Sequence, residues 1–237
     1  MELRNYQKAA VNAVYEHLRT RDDNPCVVCP TGCGKSLILA QIAKDAVQKW
    51  NGRVLVLAHV KELLEQNADK IRKLCPELKI GIYSAGLKSR DTSEPVIVAG
   101  IQSVYDKACD LGAFDVIIID ECHLLNSDSD DSMYKSFLAD MKIINPRVRL
   151  IGLTATPFRL KGGLICQPDN LLNEVCYEAG LKEMIQQGYL SPLVSKAGRA
   201  EAKLDNLHIR GGEFIADEIS SAMDTEELVS SACREIV

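Results

Sequence analysis

The chain has 237 residues, 46% of them hydrophobic and 26% charged, which is enough apolar material for a domain-sized core and excludes global disorder. Its 28 Lys and Arg against 33 Asp and Glu leave a net charge of −5, so attraction of the whole molecule to nucleic acid is excluded and any such contact must be a local patch. No apolar run reaches the roughly 18 residues of a membrane helix, and MELRNYQKAA lacks a signal-peptide core, so a soluble, cytoplasmic chain without a membrane partner is expected.

The first predicted element is a helix over NYQKAAVNAVYEHLRT, where Ala9, Ala10, Ala13, Val14 and Leu18 recur at near-helical spacing; the turn RDDNP follows. Strands are predicted at 26–29, 53–58, 79–83, 96–99, 115–119 and 149–153, with helices at 35–50, 60–74, 101–108 and 132–143 between them. The strands are short and continuously apolar, as in RVLVLA and VIII. That pattern fits a parallel sheet covered on both faces, hence an α/β three-layer sandwich with a mostly parallel central sheet. The acidic stretch NSDSDDS (126–132) is predicted as a solvated loop. After Pro157 the pattern becomes turn-rich, then YEAGLKEMIQQGYLSPLVSK suggests one further helix and an edge strand, and a last helix is predicted at 225–237. Nine cysteines include a Cys26-x-x-Cys29 spacing, but it falls in a strand and no second such pair completes a zinc set, so buried or loop thiols are expected.

CPTGCGKS (29–36) lies between a strand and a helix, the context that gives a phosphate-binding loop its meaning. Gly32 and Gly34 let the backbone turn so that amides around Thr31 and Cys33 converge on phosphate oxygens at a helix start. Lys35 supplies a cation and Ser36 a hydroxyl for Mg²⁺. Cys29 stands where the usual pattern has its first glycine. IIIDECHLL then places two carboxylates at a strand end. Asp120 suits the metal's water shell and Glu121 suits orienting and deprotonating the attacking water, since adjacent carboxylates in apolar surroundings call for a divalent cation. His123 has no zinc-ligand companions nearby. It is expected to couple the nucleotide site to Thr154 and Thr156 of GLTATPFR.

Together PTGCGKS, DECH and TATPFR, with LRNYQKAAV upstream, resemble the ordered motifs of the first motor domain of superfamily two helicases, the DEAD/DEAH-box type with a RecA-like P-loop NTPase fold. PTGCGKSLILA, RVLVLAHVKELLEQN, YSAGLKSRD, DVIIIDECHLL, RLIGLTATPFRL and MIQQGYLSPL bring the resemblance closest to the bacterial RadD family of DNA repair ATPases. The resemblance implies an ATP-binding domain over 1–195 and a linker with a helix over 196–237 leading to a second RecA-like domain. It also implies ATP and Mg²⁺ as cofactors and DNA, as single strand or junction, as partner. Carried over by position, Gln7 would read the adenine edge, Arg4 would pack on the base, and Thr154 and Thr156 would couple hydrolysis to movement. Lys61, Gly100, Ile101, Gln102 and Ser103 would meet the strand backbone, although Val60 stands where related motors often carry arginine and Ile101 where they often carry threonine or serine. Such contacts read phosphates and not bases.

Motors of this kind use cations from a second domain. The chain by itself is therefore expected to bind Mg-nucleotide weakly and hydrolyse it poorly. Two further readings remain: the motor subunit of a restriction enzyme, and a noncatalytic module whose binding is controlled by nucleotide. A transporter ATPase is disfavoured because no LSGGQ-like signature occurs.

Overall fold

The computed structural model describes residues 2–126, 130–159, 163–192, 207–210, 213–226, 228–230 and 233. Two compact units divide the chain, Met1–Leu190 and Ser191–Val237.

In the first unit the order is α1 (Asn5–Thr20), β1 (Pro25–Val28), α2 (Lys35–Trp50), β2 (Val54–Ala58), α3 (Lys61–Leu74), β3 (Ile80–Ser84), β4 (Ser89–Arg90) and β5 (Val96–Gly100). It continues through α4 (Ile101–Val104), α5 (Ala108–Leu111), β6 (Val116–Asp120), a 3-10 turn (Cys122–Asn126) and α6 (Asp130–Ile144). Last come β7 (Arg149–Thr154), β8 (Phe158–Arg159), β9 (Gly163–Leu164), β10 (Glu174–Glu178) and α7 (Leu181–Gln186). Eight strands form one sheet in the order β10-β1-β7-β6-β2-β5-β3-β4, and every neighbouring pair is parallel except β3–β4.

Alternation along each strand builds two cores. Val54, Val56 and Ala58 of β2 join Val96, Val98, Ile118 and Ile151 beneath residues of α1, α2 and α3, whereas Leu55, Leu57, Ile97, Ile117 and Ile119 face residues of α4, α5 and α6. Both faces are therefore covered, which explains why the strands read as unbroken apolar runs. The expected three-layer α/β sandwich with a mostly parallel sheet is what the chain forms. Gly152 in RLIGL has a steric reason: a Cβ there would lie 2.5 Å from Leu172 Cδ1 and 2.8 Å from Cys122 Sγ.

Several elements differ from expectation. The single helix predicted at 101–108 is two separate turns, α4 and α5, which bury Ile101 with Val104 and Ala108 with Leu111 respectively. The edge strand is β10, which precedes α7 and pairs in parallel with β1. Two short hairpins, β3–β4 and β8–β9, were not visible in the pattern.

The second unit contains an antiparallel pair, β11 (Ile209–Arg210) with β12 (Glu213–Phe214), and α8 (Ala216–Met223). Asp217 and Glu218 lie in the first turn of α8, where carboxylates complement the helix dipole, and His208 meets Glu218 at 3.2 Å. Of the helix predicted at 225–237, Glu226, 228–230 and Cys233 are helical, and 227, 231–232 and 234–237 lie outside the described residues. Of the loop predicted at 126–132, residues 127–129 lie outside the described residues, while Asn126 ends the 3-10 turn and 130–132 open α6, so the described part is helical and not loop. Among the described residues no helix is long and apolar enough to cross a membrane.

Candidate nucleotide-binding site

Strands β1, β7 and β6 are neighbours in the sheet, so the segments leaving their carboxyl ends are brought together: the loop 29–34, Thr154 and Asp120. In open α/β sheets this edge is where ligands bind. Cys29 N donates to Thr154 O at 2.9 Å, which extends the β1–β7 ladder into the loop. Gly32 and Gly34 have φ of +83° and +80°, the left-handed region that glycine enters without strain, and α2 starts immediately afterwards at Lys35.

The loop is held from below by α1. Cys33 O accepts from Tyr6 Oη at 2.5 Å and from Gln7 Nε2 at 2.9 Å, and Gln7 Oε1 accepts from Arg4 N at 2.9 Å. Gln7 is only 2% exposed, so its amide is committed at both ends. The guanidinium of Arg4 lies 5.1 Å from the centroid of Tyr189, whose ring also packs 4.8 Å from that of Tyr6. Gln7 and Arg4 are thus built into a clamp on the loop, and the adenine and base contacts expected of them would compete with these bonds. Tyr6 and Tyr189 escaped sequence reasoning; the only signal was their aromatic character at two ends of the chain's first unit.

Lys35 Nζ lies 3.4 Å from Glu121 Oε1 and 3.5 Å from Cys29 O, with a side chain only 10% exposed. Glu121 adopts φ +49°, a conformation unusual for a non-glycine residue and found at functional turns. Burial pushes its carboxyl up, but the bond from His123 and the charge of Lys35 outweigh this and hold it below the ordinary carboxylate range. His123 Nδ1 sits 3.3 Å from Glu121 Oε2 and 2.9 Å from Thr154 Oγ1. Thr156 N donates to Thr154 Oγ1 at 3.1 Å, and Arg159 Nε donates to the His123 carbonyl. A continuous polar chain therefore runs Lys35–Glu121–His123–Thr154–Thr156. Arg159 is a further member that the sequence reading had not singled out.

Asp120 is 4% exposed; its Oδ1 accepts from Glu121 N at 3.0 Å and its Oδ2 from Asn67 Nδ2 at 2.8 Å. Desolvation, with the neighbouring Glu121 charge, raises its pKa, opposed by the Asn67 bond. Its charged form therefore lacks full compensation, as suits a group that meets a cation. Ser36, half-buried at the start of α2, adds a hydroxyl oxygen. These hard oxygen donors fit Mg²⁺. Among the described residues no cluster of three or more His, Cys, Asp or Glu forms a protein-only metal cage. Magnesium normally uses one or two carboxylates plus substrate phosphates instead of such a cage. Cys26 and Cys29 are both buried free thiols.

Farther along the same edge, β2, β5 and β3 end beside one another. Lys61 is exposed at the start of α3, and Gly100 is the residue before α4. Gln102 Nε2 donates to His59 O at 3.1 Å, and Ser103 Oγ accepts from Ala85 N at 3.0 Å. Ile101 is fully buried, so only its main chain could serve a strand. The five predicted residues are thus brought to one edge, where Gln102 and Ser103 bond His59 and the start of the loop 85–88. Neither of those neighbours had been assigned.

Residues 1–159 match the family described as "Type III restriction enzyme, res subunit". The chain is 27% identical to the putative ATP-dependent helicase IRC3 of Saccharomyces cerevisiae over 95% of its own length and 33% of that protein. It is 28% identical to the type I restriction enzyme EcoAI endonuclease subunit of Escherichia coli, over 93% of its own length and 28% of that protein. The chain therefore spans about a third of these relatives. Among solved structures, the Hef helicase domain of Pyrococcus furiosus superposes with a TM-score of 0.56 at 26% identity, covering 74% of this chain and 38% of that one. The type ISP restriction-modification enzyme LlaGI, solved with a DNA substrate mimic, superposes with a TM-score of 0.58 at 18% identity, covering 80% of this chain and 21% of that one. With two thirds of the chain inside the family match and a RecA-like sheet beneath it, the chain belongs to the type III restriction enzyme res subunit family of helicase-like ATPases.

Proposed function

We propose that the chain is the nucleotide-binding half of an ATP-driven motor that acts on DNA, in repair or recombination. The observation that carries this reading is the polar chain Lys35–Glu121–His123–Thr154, assembled at the carboxyl ends of adjacent strands beside a glycine-turned loop. Loop amides from Thr31 to Gly34 and the start of α2 would receive the phosphates, with Lys35 leaving Glu121 to meet them. Ser36 and Asp120 would hold Mg²⁺, which when bound neutralises charge on the phosphate oxygens. Glu121, kept ionised by His123 and Lys35, is suited to accept a proton from an attacking water. Thr154 Oγ1 bonds His123 and accepts from the Thr156 amide, so a shift at the carboxylate would be felt along β7.

DNA as substrate draws on the local edge of Lys61, Gly100 and Ile101, with Gln102 and Ser103 holding its shape, and on relatives solved with DNA. A repair role draws on the RadD resemblance. A restriction translocase is the second reading, favoured by the family match and by the EcoAI relative. In either case residues 1–195 form the first motor domain, 196–237 lead towards a second, and turnover needs that domain's cations, so the chain alone binds nucleotide and turns it over slowly.

Two variants divide the roles. Lys35→Ala should weaken Mg-nucleotide binding at least about tenfold, the lower end for a charge-assisted bond. Glu121→Gln should leave binding within about twofold while lowering strand-stimulated phosphate release in the full-length protein by about 10²-fold or more. Fluorescent-nucleotide anisotropy and phosphate release measure the two. Equal loss of affinity in both variants would refute the assignment.

A further inference from the structure

The apolar stripe of α3, formed by Leu64, Ala68 and Ile71, contains one polar side chain. Asn67 lies among them at zero exposure. Its Nδ2 donates to Asp120 Oδ2 at 2.8 Å, across 53 residues of sequence. Its Oδ1 is buried with no hydrogen-bond partner among the described residues. A leucine here would complete the stripe and leave no orphaned acceptor, so burial of a half-satisfied amide disfavours the fold locally and packing does not account for it.

What the amide does is specific to the carboxylate. Asp120 Oδ1 is taken by the Glu121 amide at 3.0 Å, so without Asn67 the second oxygen would have no neutral donor and the carboxyl could turn. A neutral donor fixes the rotamer while leaving the negative charge available. A lysine in its place would cancel the charge that attracts a cation. Asn67 also stands on the helix that begins with Lys61, so the position of α3 and that of Asp120 are tied by one bond.

We propose that Asn67 is a positioning residue for magnesium: it sets Asp120 for the ion and joins α3, the helix that opens the proposed strand-binding edge, to the metal site. The proposal rests on the nucleotide-motor reading above. Outer-shell partners of this kind change metal affinity by about 10–100-fold when removed. The test uses Asn67→Leu, which keeps the number of side-chain heavy atoms but adds bulk and removes the amide, and Asn67→Ser, which is smaller and so stresses the packing in the opposite sense. A fluorescent ATP analogue is titrated in EDTA and at graded Mg²⁺, with circular dichroism as a check on folding. The Mg²⁺ concentration for half-maximal nucleotide binding should rise about tenfold or more in both variants, with affinity in EDTA unchanged within about twofold. An unchanged Mg²⁺ midpoint, or equal losses with and without Mg²⁺, overturns the proposal and leaves Asn67 a structural residue. Should the unmutated chain bind nucleotide no better with Mg²⁺ than in EDTA, the motor reading itself falls, and this inference with it.

Discussion

Gly34→Ala isolates the clamp between α1 and the phosphate loop. The backbone at Gly34 has φ +80° and ψ +44°, where a Cβ costs about 1–2 kcal/mol. That Cβ would also lie 2.8 Å from Gln7 Nε2, the atom donating to Cys33 O. Because Gln7 is 2% exposed and packed in place, the methyl displaces its amide and removes a net contribution of about 0.5–1.5 kcal/mol. The sum is about 1.5–3.5 kcal/mol. Gly188 supplies the control: its φ is +73° but a Cβ there meets nothing within 4 Å, so Gly188→Ala should cost only the backbone part, about 1–2 kcal/mol. In a Gln7→Ala background, Gly34→Ala should fall to the same value. Urea denaturation followed by circular dichroism gives each difference. The reasoning fails if Gly34→Ala costs no more than Gly188→Ala, or if its cost is the same with and without Gln7.

Thr154 is fully buried and its hydroxyl serves both Thr156 N and His123 Nδ1, so Thr154→Val should destabilise by about 1–3 kcal/mol through groups left unpaired. Thr154→Ser should cost only about 1 kcal/mol for the lost methyl, and equal effects in urea melts would contradict the hydroxyl's role. A thiol reagent at pH 8 should react rapidly with the exposed Cys109 and Cys233 alone. Cys75 and Cys176, pushed by burial up to about 11 and about 12, should react only after unfolding, and a third fast thiol in the native chain would refute that burial pattern.

The sheet was legible because strands buried on both faces carry no polar alternation to confuse them, and the loop 29–36 and DECH were legible because their chemistry lies within a few consecutive residues. What escaped depends on contacts between distant parts of the chain. Nothing local tells that Gln7 closes on Cys33 across 26 residues, or that Asn67 reaches Asp120. Asn67 did leave a trace, as an amide at an apolar stripe position of a predicted helix, but a pattern reading treats one such residue as noise. The split of 101–108 into α4 and α5 was hidden for the opposite reason: both turns keep the helical spacing of their buried residues, so periodicity alone does not see the break.

The adjacency of β1, β7 and β6 makes the sheet a ruler for the chemistry. Neighbouring strands stand about 4.8 Å apart, so the separations among the loop, Thr154 and Asp120 are quantised by ladder spacing and do not drift with side-chain packing in the helical layers. Substitutions in α5 or α6 should therefore lower stability while leaving these separations intact. A slip of β7 by one residue, by contrast, would turn Thr154 to the other face and cut the polar chain at its middle.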